Sequence, residues 1–127
     1  MTSRIEMERL LNELYAARVS GQLNELCATF AVEARFRIAG VSNGKPIAIA
    51  ASGIDQIRPW LAMLVKMFRI TNHHMLSMTI DGAQAAVHWR ADILSKITGT
   101  AVATELVDLI EVRDGRIAAY TEFFVPC

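Results

Sequence analysis

From Arg69 onward the hydrophobic period of the chain is two, and that change limits what the chain can fold into. Before it, apolar residues recur mostly every three or four positions, around one short alternating stretch; after it, they alternate. Upstream, Ser3 followed by Glu6 is a capping-box signature, and Met7, Leu10, Leu11 and Leu14 keep helical spacing until Gly21. Leu23, Leu26, Cys27 and Phe30 predict a short second helix. Ala34 to Ile38 alternates as a strand, and the Asn43-Gly44 hairpin signal folds Lys45 to Ala50 back on it. A third helix follows on Ile54, Ile57, Leu61, Leu64 and Phe68, with Pro59 near its first turn or at a kink. Downstream, Asp81-Gly82, Thr98-Gly99 and Asp114-Gly115 punctuate three long alternating segments, a spacing that suits an antiparallel meander. Helices grouped first and strands last give an α+β domain, with the helices on one face of a curved antiparallel sheet.

The 127 residues are expected to form one domain, 1–127, with room for a core that needs no staple or metal. Because 53% of them are hydrophobic, some apolar surface is expected in a cavity or a subunit contact. Thirteen basic residues balance thirteen acidic ones without a basic run, which argues against nucleic-acid and anionic-membrane partners. The N-terminus mixes charge with helical periodicity and lacks a signal peptide's apolar region, and no segment approaches the roughly 18 apolar residues of a membrane span. Cys27 and Cys127 have neither framework nor metal-site spacing, so two free thiols in a cytoplasmic protein are expected.

The chemistry concentrates on three strands. In VHWRADILSK, Val87 to Lys96, alternation puts His88, Arg90, Asp92 and Leu94 on one face and Val87, Trp89, Ala91 and Ile93 on the other. The polar row is expected to face inward as a site wall, and the Trp89 row outward, toward a dimer contact or a helix. On the next strand Asp108 is a lone acid in the row of Val102, Thr104, Leu106, Ile110 and Val112. A carboxylate there must be paired, hydrogen-bonded or protonated. On the last strand Glu122 lies between Tyr120 and Phe124. His73 and His74 point to opposite faces of a strand, so at most one can join His88, and no metal site is expected.

Two N-terminal helices, a strand opening after Phe30-Ala31, a third helix, and a meander ending in Arg113-Asp114-Gly115-Arg116-Ile117 with Tyr120-Thr121-Glu122-Phe123-Phe124 resemble the nuclear transport factor 2-like superfamily. That group includes SnoaL-like polyketide cyclases, ketosteroid isomerases and limonene epoxide hydrolases. The resemblance implies a cone-shaped sheet closed by helices around an apolar pocket, often in a homodimer. Similarity to the epoxide hydrolases implies an acid–arginine–acid set of Asp92, Arg90 and Glu122 near Tyr120, with Phe36 and Ile38 where those enzymes hold their water. Similarity to the ketosteroid isomerases implies an oxyanion site of Tyr15 and Asp108, with Ile38 where the proton-shuttling aspartate belongs. His88, Leu94, Leu106, Trp60 and Leu64 complete the expected ligand wall, and Met63, Met67, Met75 and Met78 soften it. The expected function is cofactor-free acid/base chemistry, without metal, on a small hydrophobic molecule. The competing expectation is a non-catalytic binding or dimerisation module of the same fold.

Overall fold

A computed structural model describes residues 2–127. Helix α1 (Arg4–Ser20) starts where the Ser3 hydroxyl accepts from the Glu6 amide, and ends at Gly21 in the left-handed region. It is followed by α2 (Leu23–Ala28), β1 (Phe30–Ser42), β2 (Lys45–Ser52), α3 (Ile54–Met67), β3 (Phe68–Asp81), β4 (Gln84–Ser95), β5 (Ala101–Arg113) and β6 (Arg116–Pro126). Asn43 and Gly44, both at positive φ, make the tight turn between β1 and β2. Two boundaries differ from expectation: Phe30 and Phe68 begin strands rather than close helices. Either element can bury an aromatic at its end, so apolar spacing alone does not decide there. No helix among the described residues is long and apolar enough to cross a membrane.

The strands form one six-stranded sheet in the order β2-β1-β6-β5-β4-β3. The expected meander is present but has four strands rather than three, β3 to β6 pairing antiparallel in chain order. β1 lies parallel beside β6, making the sheet mixed, and the edges β2 and β3 do not meet. α1 packs on β3, α3 spans β1, β2 and β3, and α2 joins the two helices. The helices thus cover one face, whose buried side chains come from Ala34, Phe36 and Ile38 on β1, Val87, Trp89 and Ala91 on β4, Leu106, Asp108 and Ile110 on β5, and Tyr120 and Glu122 on β6.

This arrangement reverses the expected orientation of β4. Trp89 is fully buried in the cone, while Arg90 is exposed and His88, Asp92 and Leu94 are half-buried in the outer row. The cause lies in the register: Val87 pairs with Asp108 and Trp89 with Leu106. Directly paired residues share a face. The apolar row of β5, carrying its single acid, therefore brings the Trp89 row inside, and the polar row meets solvent.

Candidate active site

Two acids face each other across β5 and β6, Asp108 opposite Glu122, and both are buried. α1 lays Tyr15 and Arg18, one turn apart on its inner face, over this pair. Arg18 holds Glu122 with both terminal nitrogens, Nη1 donating to Oε2 and Nη2 to Oε1 at 3.0 Å. The same Nη1 donates to the Tyr120 hydroxyl at 3.0 Å, and that hydroxyl donates to Glu122 Oε2 at 2.7 Å. The guanidinium also sits over the Trp89 ring, 5.3 Å from its centroid. Asp108 Oδ2 accepts from the Tyr15 hydroxyl at 2.5 Å and from Trp89 Nε1 at 2.8 Å.

One cation and two acids share a site away from water, and the charge balance is met when one acid keeps its proton. Burial pushes Asp108 well above the usual carboxylate range, and the Glu122 charge pushes it further. Burial acts most strongly on Glu122 too, but Arg18, with help from hydrogen-bonding neighbours such as Tyr120, reverses it and holds that carboxyl below its ordinary value. The geometry supports the same division. As a carboxylate, Asp108 Oδ1 is a buried acceptor with no donor among the described residues, and protonation of Asp108 removes that unanswered charge. Burial and the nearby acids raise both Tyr15 and Tyr120, so each phenol remains a proton donor.

Of the site residues expected from sequence, Tyr15, Asp108, Tyr120 and Glu122 come together, with Phe36, Ile38 and Leu106 buried beside them on the inner face. Trp60 and Leu64 pack from α3 at the partly exposed margin of the core. Arg90, Asp92 and His88 are corrected to the outer face. There Asp92 accepts from Asn72 at 2.6 Å, His88 meets Glu105 at 2.6 Å, and Arg90 reaches the Cys127 thiol at 3.7 Å. Arg90 and Asp92 line an outer groove of about 440 Å³ with His74, Met75 and Leu76. Leu94 belongs to that outer row as well. The buried cluster thus joins Arg18 to Glu122, with Asp108 facing Glu122, and contains neither Arg90 nor Asp92. Arg18 was missed because a cation in a last helical turn usually answers the helix dipole. The available signal was its position four residues after Leu14, on the stripe of Met7, Leu11 and Leu14.

A helix-capped, curved mixed sheet with polar groups buried on its inner face defines the nuclear transport factor 2-like α+β fold. Solved structures show this likeness along most of their length. An NTF2-like protein from Burkholderia xenovorans LB400 is 21% identical with a TM-score of 0.80, covering 98% of this chain and 92% of that chain. A provisionally named isomerase from Rhodopseudomonas palustris is 18% identical with a TM-score of 0.78, covering 98% and 91%. An LEH-like epoxide hydrolase from M. tuberculosis is 15% identical with a TM-score of 0.72, covering 94% and 83%. Within this fold the chain belongs to the SnoaL-like domain family, whose model matches residues 11–120. No curated protein matches its sequence.

Proposed function

We propose that the chain binds a small, mainly apolar molecule bearing an oxygen function inside the cone and carries out acid/base chemistry on it without a cofactor. Isomerisation, cyclisation, and addition or loss of water all fall within this class. The observation that supports the reading is the buried pair Asp108 and Glu122, facing each other across β5 and β6 with Arg18 bonded to Glu122, so that the two carboxyls are pushed in opposite directions. Protonated Asp108, with the Tyr15 hydroxyl beside it, can stabilise a developing oxyanion or give it a proton. Arg18 and Tyr120 fix the Glu122 charge, and Trp89, Leu106, Phe36 and Ile38 supply the dry wall against which these groups act. The proposed apolar approach passes Trp60 and Leu64, partly buried on α3. The free thiols of Cys27 and Cys127 fit a cytoplasmic protein.

Trp89 donates to Asp108 and offers a built-in reporter. Trp60→Phe leaves Trp89 as the single tryptophan of the two in the chain. Titration of that variant with small cyclic ketones, epoxides and lactones is expected to shift Trp89 emission saturably for at least one class. No shift with any class, together with no co-purified molecule on native mass spectrometry, contradicts the reading. One observation favours the non-catalytic alternative: Tyr15 and Trp89 both donate to Asp108, so much of the cluster is satisfied within itself. Under that alternative a ligand that binds is not turned over, and Asp108→Asn leaves its affinity unchanged.

We also propose a homodimer through the outer sheet face. Leu109, Phe123 and Val125 are 47%, 39% and 50% exposed on the adjacent strands β5 and β6, forming an apolar stripe for a second copy to cover.

A further inference from the structure

We infer that His73 is the proton acceptor of the cone, turned inward by a bulge at Asn72. On β3, Thr71 pairs with Asp92 and His74 with Arg90, so Asn72 and His73 together oppose the single residue Ala91. Asn72, at φ +52°, takes up the extra residue, and its side chain leaves for the outer face to bond Asp92. Regular alternation from Ile70, which packs on the core, sends Asn72 and His74 inside and His73 out. The bulge exchanges them: the His73 ring stacks on Tyr15 at 6.1 Å and lies 5.3 Å from the Trp89 ring, while His74 is exposed. A bulge that turns one half-buried imidazole toward the inner face, beside the two side chains that hold Asp108, gives that imidazole a place in the site's chemistry.

The other groups leave the acceptor role open. Asp108 is occupied by the Tyr15 and Trp89 donors and pushed well above the carboxylate range, and Glu122 is tied to Arg18 and Tyr120. His73 Nε2 is buried with no hydrogen-bond partner among the described residues. The groups around the ring are Tyr15 and Arg18 from α1, Trp89 from β4 with Asp108 behind it, and His74 next along β3. Burial lowers the imidazole below its ordinary value, and the His74 and Arg18 charges lower it further, so it stays neutral at pH 7. This assignment rests on the acid/base reading of the same cluster, for which it supplies the base.

The test uses a nitrobenzisoxazole, a compact apolar probe whose ring opening needs only a base. The base removes the ring C–H proton, the freed electron pair completes a nitrile as the N–O bond breaks, and a coloured nitrophenolate leaves. Wild-type protein is expected to accelerate this reaction, with a rate that rises through one ionisation below the ordinary histidine range. His73→Gln is expected to lose about a hundred-fold or more of the acceleration, and His73→Ala to regain part of it saturably with added imidazole. His74→Gln, on the outer face, is expected to keep the wild-type rate on the plateau above that ionisation. Absence of acceleration by wild-type protein, or a folded His73→Gln variant at the wild-type rate, overturns the assignment. Retention in His73→Gln with loss in Asp108→Asn removes His73 alone and leaves the acid/base reading standing.

Discussion

Arg18 sits between the Glu122 carboxylate and the face of Trp89, and without it Glu122 is a buried charge with only Tyr120 to answer it. Arg18→Met is therefore expected to lower the unfolding free energy by about 3–5 kcal/mol, measured in denaturant at neutral pH. Adding Glu122→Gln is expected to recover most of that loss, because the uncompensated charge leaves with the carboxylate; independent, additive losses contradict the pairing. The two acids also give stability opposite dependences on pH. Glu122, lowered in the fold, contributes stability above its ordinary value, and that contribution is lost as pH falls through its folded value. Asp108, raised in the fold, contributes most below its ordinary value, and its contribution is lost as pH rises toward its folded value. Asp108→Asn mimics the protonated acid and removes the second dependence, so the variant is expected to gain on wild type as pH rises from the carboxylate range to neutrality. A difference that stays flat with pH, in unfolding curves taken across that window, contradicts a protonated Asp108. At this scale the sequence was informative about Asp108 and Glu122, since an acid in an apolar row has few explanations. It was less so about Arg18 and His73, whose inward direction depends on a helix face and a bulge.

Among the elements, β1 lies against β6 at Gly40, which pairs with Phe124. A Cβ there would lie 2.5 Å from the Phe124 carbonyl oxygen and collide with its ring as well. Gly40→Ala is expected to cost about 1–3 kcal/mol and to move the Phe124 ring resonances. Because the carbonyl is as close as the ring, Phe124→Ala is expected not to restore the loss; full recovery in the double variant contradicts a backbone clash. Most elements were legible from period and turn chemistry: α1, the Asn43-Gly44 hairpin and the meander all lie where spacing put them. The facing of β4 was not. Alternation defines two faces without saying which one meets the helices, and the polar residues of VHWRADILSK drew attention from the Trp89 row. The deciding fact is the pairing of Val87 with Asp108 and Trp89 with Leu106, a register that local period does not contain.

For the whole molecule, the parallel contact of β1 with β6 brings the N-terminal third against the C-terminal strand. No local pattern in either segment encodes that long-range pairing. The resemblance to a cone-shaped family supplied the architecture, and cross-strand register then supplied the site. The outer face gives a prediction at this scale: at micromolar concentration the chain is expected to sediment at twice its monomer mass, and Phe123→Glu to return it to the monomer. A wild-type monomer throughout that range contradicts the proposed dimer. The central claim, however, is that two neighbouring buried acids share the interior in opposite protonation states, with Arg18 deciding which one is charged. Carboxyl-carbon NMR titration of protein labelled at Asp and Glu tests it most directly, with Asp108→Asn and Glu122→Gln used to assign the signals. The expected result is an Asp108 signal that titrates well above the usual carboxylate range and a Glu122 signal that titrates below it. Ordinary titration of both carboxyls, at about 4, would contradict the account.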